Sequence, residues 1–220
     1  MIEAVIFDMD GLLIDSEPFW QEAEMISFEK VGILLDNTMC LETMGLRVDQ
    51  VVEHWNHKFP GYIHDKDAVV ADIMSGVISL VMKKGMPRPG VYEILEFMKD
   101  KNVKMAIASS SQLILIKTVV QKFGIGKYFN ELYSAETEEY GKPHPGVYIT
   151  TAKVLGVAPE RCLAWEDSFN GLLSAKAARM KCVCVPDESI RRGSKIAIAD
   201  LVLDSLADFD EGHWNGLMPN

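Results

Sequence analysis

Asp8 and Asp10 stand two residues apart, directly after an apolar run, Ala4-Val5-Ile6-Phe7, and ahead of Gly11. Side chains two apart on an extended segment project to the same side, so the two carboxylates can share one small volume. Like charges held that close need a shared proton or a cation between them. A hard divalent ion taking oxygen ligands, most simply Mg²⁺, meets that need. Asp and Gly are also ordinary turn residues, and an acidic turn closing a strand would use the same letters. The choice depends on whether other chemistry-bearing residues arrive at the same place.

Three further segments carry such residues. The run at 103–108 leads into Ser109-Ser110-Ser111, whose hydroxyl and amide groups can bind phosphate oxygens. Tyr140-Gly141-Lys142-Pro143-His144-Pro145 offers one fixed ammonium between a glycine and two prolines. The run at 162–165 ends in Glu166-Asp167-Ser168, with Asn170-Gly171 beyond it. Each has an everyday reading: a solvated lysine, a serine-rich loop, a capping pattern before a helix. Together they put acid pairs, a hydroxyl and a lysine at different strand ends.

The elements that must hold these residues read as an α/β fold. Helices are expected at 91–101, 112–123, from His144-Pro145 to Leu155 with Gly156 as C-cap, and at 170–178. Strands are expected at 4–7, 103–108, near Ser134, at 162–165, 182–185 and 201–203. Alternation of this kind implies a Rossmann-like, mainly parallel sheet with helices on both faces, and ligands in such sheets collect outside the carboxyl ends of the strands. Residues 16–85 break the rhythm with amphipathic stretches at 19–31, 48–59 and 67–84 and no convincing strand. The expected organisation is therefore an α/β core from residues 1–15 and 86–220 with a helical cap domain, 16–85, placed over the carboxyl edge as a lid. Helices that simply cover a sheet face are the alternative. The segment 208–220, with Trp214, carries no functional signal.

Asp8-Met9-Asp10-Gly11, Ser109, Lys142-Pro143 and Glu166-Asp167-Ser168 resemble the four sequential motifs of the haloacid dehalogenase superfamily, specifically its phosphotransferases. The likeness runs from about residue 3 to 185. Gly11-Leu12-Leu13-Ile14-Asp15-Ser16-Glu17-Pro18 further resembles the subgroup of β-phosphoglucomutases and small sugar-phosphate phosphatases, including those acting on 2-deoxyglucose 6-phosphate, whose cap follows the first strand. The resemblance implies that Asp8 is a nucleophile giving an aspartyl-phosphate. Asp10 would be the general acid for the leaving oxygen and then the base that activates water. Mg²⁺ would be held by Asp8, the main-chain carbonyl of Asp10 and Asp167, with Glu166 in an outer or water-mediated position. Lys142 would offset repulsion between Asp8 and the phosphoryl group, and Ser109 with the amides of Met9 and Ser110 would bind the transferring oxygens. In this family the Lys142-Pro143 bond can be cis.

Asp10 also separates branches of the family, because a departing halide needs no proton whereas a sugar alkoxide does. β-Phosphoglucomutases place a histidine where this chain has Trp20. An indole cannot shuttle a proton, which favours hydrolysis over mutase chemistry and leaves Trp20 either as cap core or stacked on a sugar. Met44-Gly45-Leu46-Arg47 is most like the specificity loop: Arg47 is expected to grip a distal phosphate or sugar oxygens, and Glu17 to bind sugar hydroxyls. The expected substrate is a hexose or deoxyhexose phosphate. A phospho-accepting receiver domain also combines Mg²⁺, acids, a hydroxyl and a lysine, but has no inserted cap.

Composition bounds the partners. In 220 residues the formal net charge is −10, which opposes general affinity for nucleic acid or anionic membrane. No apolar run approaches the ~20 residues needed to span a bilayer, and the amino terminus lacks a basic lead into a signal-type stretch. A cytoplasmic monomer is expected, with Cys40, Cys162, Cys182 and Cys184 as structural free thiols.

Overall fold

The computed structural model describes residues 1–186 and 193–218. In chain order the elements are β1 (Ala4–Phe7), α1 (Glu17–Lys30), α2 (Asn37–Cys40), α3 (Val48–Lys58), α4 (Lys66–Lys84), α5 (Val91–Asp100), β2 (Lys104–Ser109), α6 (Leu113–Phe123), β3 (Glu131–Ser134), α7 (Gly146–Leu155), β4 (Cys162–Glu166), α8 (Phe169–Ala177), β5 (Lys181–Cys184), β6 (Leu201–Val202) and α9 (Glu211–Leu217). The strands form one parallel sheet in the order β3-β2-β1-β4-β5-β6.

β1 shows no polar alternation because both of its faces are covered. Val5 and Phe7 join the larger core with α5, α6 and α9, whereas Ala4 and Ile6 face the smaller one built from α7 and α8. Phe7 sits level with Ile107 of β2 and Trp165 of β4. The next residue, Asp8, therefore leaves the sheet beside Ala108 and Glu166. From β1 the chain order runs outward in both directions, to β2 and β3 on one side and β4, β5 and β6 on the other. Such a switch in strand order opens a crevice at the carboxyl edge.

α1 packs along α4 and α3 packs on α4, with Ala23, Phe28, Val52, Trp55, Ile73 and Val77 buried among them. The chain enters and leaves this helical group where Ile14 bridges Pro87 in antiparallel fashion. Among the described residues no helix is long and apolar enough to cross a membrane.

Two elements escape the periodicity reading. α2 is only four residues long, started by Asp36, whose carboxylate accepts from the Met39 amide at 2.8 Å. α9 contains two glycines and is held by tertiary contact: Trp214 packs edge-on to Phe97 of α5, ring centroids 6.3 Å apart at 72°. All four cysteines are free and buried, and Cys182 and Cys184 lie together in the smaller core.

Candidate active site

Lys142 is the hub of the sheet edge. Its Nζ donates to Asp8 Oδ1 at 2.7 Å, to Glu166 Oε1 at 2.6 Å and to the Ala108 carbonyl at 3.2 Å, so one ammonium joins the ends of β1, β2 and β4. Lys142 is 4 % exposed and Glu166 entirely buried. The loop that delivers it has a cis Lys142-Pro143 bond. Tyr148 of α7 donates to the same Glu166 oxygen at 2.5 Å, and Ser168 to the other at 3.3 Å.

So dry a place shifts Asp8, Lys142 and Tyr148. Burial pushes the Asp8 carboxyl up to about 8; Lys142 works against that, while Glu166 and Asp10 reinforce it. Burial disfavours the Lys142 ammonium, but the Asp8 and Glu166 carboxylates outweigh it and hold the lysine above its ordinary range. Burial, then Glu166 and Asp8, keep the Tyr148 hydroxyl protonated well above its usual range.

Asp10 lives in different surroundings. Its Oδ1 accepts from Ser16 Oγ at 2.7 Å and Trp20 Nε1 at 3.1 Å; its Oδ2 accepts from Ser109 Oγ at 3.1 Å and Ser111 Oγ at 2.7 Å. Two donors come from the start of α1 and two from the end of β2. Ser109 therefore turns to Asp10, and its oxygen also accepts the Ser111 amide at 3.0 Å. Ser110 Oγ is buried, has no hydrogen-bond partner and lines the cavity, an acceptor or donor waiting for a ligand. Met9 is wholly buried and is not among the residues lining the cavity. Ser16 and Ser111 were not singled out from sequence. Ser111 stood in the serine run, and nothing there distinguished its neighbours' tasks.

Asp8, Glu166 and Asp167 present oxygens that all lie within 4.8 Å of one another, all three buried. Glycines make room for the group: a Cβ on Gly11 (φ +78°) would fall 1.8 Å from Asp167 Oδ2, and one on Gly171 would fall 2.0 Å from the Glu166 carboxylate. An all-oxygen set beside a fixed ammonium fits a hard divalent cation. Within the group Glu166 already receives Lys142, Tyr148 and Ser168, and Asp8 receives Lys142. The Asp10 side chain is occupied by its four donors and is not part of this acidic group.

From α1, Glu17, Trp20 and Glu24 line the cavity together with Thr43 and Met44. They are spaced i, i+3 and i+7 on α1, one helical face, and that spacing could have revealed Glu24 in the sequence. Trp20, expected as core or as a sugar platform, packs against the larger core, lines the cavity and gives its indole N–H to Asp10. Arg47 is not brought to the cavity. Its guanidinium pairs with Asp49 at 2.7 Å and donates to the carbonyls of Ala135 at 3.0 Å and Glu138 at 2.6 Å, tying α3 to the loop after β3. Each nitrogen of the Arg47 guanidinium, expected on a distal phosphate or sugar oxygens, thus has a protein acceptor in this arrangement.

Comparison with known proteins agrees with this geometry. A family model described as haloacid dehalogenase-like hydrolase matches residues 2–179. Hexitol phosphatase B of Escherichia coli K12 is 39% identical over 208 residues, 94% of each chain. A phosphorylated carbohydrates phosphatase of Thermotoga maritima is 28% identical over 91% of this chain and 93% of its own. Among solved structures, CbbY from Rhodobacter sphaeroides in complex with phosphate superposes with a TM-score of 0.84 at 26% identity, covering 94% of this chain and 96% of that one. β-Phosphoglucomutase from Clostridium difficile gives 0.83 at 26% identity, covering 98% and 96%. With a parallel sheet whose central strand delivers Asp8 and Asp10, and a lysine and acid pair arriving from two other strand ends, the chain belongs to the haloacid dehalogenase-like hydrolases, as a phosphoric monoester hydrolase.

Proposed function

We propose that this enzyme is a Mg²⁺-dependent phosphatase that hydrolyses a small phosphorylated sugar or sugar alcohol through an aspartyl-phosphate, working as a cytoplasmic monomer. One observation carries the reading: Asp8 and Asp10, two residues apart, have unlike partners. Asp8 is paired with a buried ammonium, as a nucleophile facing an anionic phosphoryl group requires; Asp10 is surrounded by hydroxyls and an indole N–H at the cavity. Two carboxyls in unlike settings can divide nucleophile and proton-carrier duties.

Asp8 attacks phosphorus in line as the bond from phosphorus to the sugar oxygen breaks, and Asp10, whose hydroxyl neighbours can turn from donors to acceptors when it is protonated, delivers its proton to that oxygen. Water then attacks the phosphorus of the aspartyl-phosphate while Asp10 takes its proton back, releasing phosphate and freeing Asp8. Lys142 keeps Asp8 oriented and lowers its repulsion from the substrate. Ser110 and the main chain of Met9 and Ser110 are the ligands for the phosphoryl oxygens, each such preorganised donor being worth roughly 3 kcal/mol of barrier. A divalent cation held by Asp8, the Asp10 carbonyl and Asp167 would add charge neutralisation of the transferring group. Trp20 cannot relay a proton, which supports hydrolysis. The likeness to β-phosphoglucomutase keeps phosphoryl migration as the second reading.

The deciding assay measures phosphate release from hexose, deoxyhexose and hexitol phosphates with and without Mg²⁺. β-Glucose 1-phosphate with a trace of glucose 1,6-bisphosphate, coupled to detection of glucose 6-phosphate, runs beside it. Release that needs Mg²⁺ and falls by at least about a thousandfold in both Asp8→Asn and Asp10→Asn is expected. Isomer formation without release would establish the mutase instead, and substantial activity in Asp8→Asn would refute the nucleophile.

A further inference from the structure

Glu24 is buried in the wall that the cap turns toward the reacting groups. It is 6 % exposed, lines the same cavity as Asp8 and Asp10, and its Oε2 makes no hydrogen bond. Its polar neighbours are the Glu17 carboxylate and the Cys40 thiol. Hydrophobic packing alone would not select a carboxyl for this place, since leaving a polar atom unpaired in the interior costs stability. A ligand group that pairs with Oε2 removes that penalty.

The rest of this wall narrows what the ligand is. Among the cavity-lining residues of 16–85, Glu17 and Glu24 carry acid groups and none carries a basic one. Arg47, the cation nearest in sequence to that wall, is occupied by Asp49 and two carbonyls. Among the described residues that line the cavity, Lys142 on the core side is the basic group that a phosphoryl group meets. A second phosphate reaching the cap would meet acids in a poorly screened setting. A hydroxyl suits Glu24 in either of its protonation states: the carboxylate accepts from it, and the acid both donates and accepts.

We infer that Glu24 is a specificity-determining residue which hydrogen-bonds a hydroxyl of the uncharged, polyhydroxylated end of the substrate, so that the enzyme takes monophosphates of polyols and sugars and rejects bisphosphates. This rests on the phosphatase reading above and gives its substrate one phosphate and a neutral tail.

The test compares kcat/KM of the Mg²⁺-loaded enzyme and of Glu24→Met and Glu24→Gln on glucitol 6-phosphate, glucosamine 6-phosphate, fructose 1,6-bisphosphate and p-nitrophenyl phosphate. The wild type should prefer glucitol 6-phosphate to the bisphosphate by more than about tenfold. In Glu24→Met the ratio of glucitol 6-phosphate to p-nitrophenyl phosphate should fall by about tenfold or more, and Glu24→Gln, which still hydrogen-bonds, should recover most of it. Equal losses on both esters would make Glu24 a packing residue and overturn the inference. So would a wild-type preference for the bisphosphate, or a Glu24-dependent preference for the amine of glucosamine 6-phosphate. Calorimetric binding of glucitol 6-phosphate and inorganic phosphate to Asp8→Asn, with and without Glu24→Met, asks the same question without turnover. Selective loss of the glucitol ester there supports Glu24 even if no ester is hydrolysed, an outcome that would defeat the phosphatase reading alone.

Discussion

Each carboxyl of this site takes its character from what its neighbours donate. Asp8 is set by an ammonium, Asp10 by three hydroxyls and an indole, Glu24 by the lack of a partner at one oxygen. For Glu24 this has a measurable effect on stability. Burial first, then Glu17, push its carboxyl from an ordinary 4.5 up to about 8, with Cys40 working in the opposite direction. The folded state therefore binds a proton more tightly than the unfolded chain. The contribution is complete below about pH 4.5 and is lost as the pH rises through about 8. One such proton gives a slope of up to about 1.4 kcal/mol per pH unit. Urea unfolding of the wild type between these limits should show stability falling with pH, and Glu24→Gln should flatten part of that fall. Identical slopes would mean that Glu24 titrates normally. Sequence reasoning could identify the reactive types, because acids, serines and a lysine at strand ends are visible as letters. It could not assign their partners. Ser109 was expected on phosphate oxygens and stands against Asp10, and Arg47 was expected on the substrate and is bound to Asp49. The Ser109–Asp10 contact joins residues 99 apart in the chain, and Arg47 also reaches the carbonyls of Ala135 and Glu138, 88 and 91 residues away.

Elements decide which of these partnerships are possible. The alternation of apolar runs and helical spacing made the sheet and its helices readable, since strands buried on two faces and amphipathic helices have distinct periods. α2 and α9 were not readable: one is too short to show a period, and the other owes its shape to Trp214 packing on Phe97. The consequence of an element's position is sharpest for α8. Its Gly171 brings the helix so close to Glu166 that any Cβ would overlap the carboxylate. Gly171→Ala should displace Glu166 from Lys142 and Tyr148, lowering kcat by at least about tenfold and stability by about 1–3 kcal/mol. Wild-type kcat in a folded Gly171→Ala would show that the position of the Glu166 carboxylate is unimportant for turnover.

At the scale of the whole molecule, the ends of three neighbouring strands, β2, β1 and β4, converge on one lysine. Buried ion clusters are poor stabilisers: removing one partner typically costs about 3–5 kcal/mol, whereas neutral replacement of the whole set is often harmless or favourable by about 1–4 kcal/mol. Lys142→Met alone should therefore lower the unfolding free energy in EDTA, and the combined Asp8→Asn, Lys142→Met, Glu166→Gln variant should regain it, read from urea unfolding curves. A combined variant less stable than Lys142→Met would show the cluster to be a net source of stability. If the expected order holds, the cluster sets heredity against durability. A lineage of this protein selected only to survive heat would be free to lose its charges one set at a time, and would arrive at a sturdier fold with no chemistry. That the charges stand in this chain is then a record of continued selection for turnover.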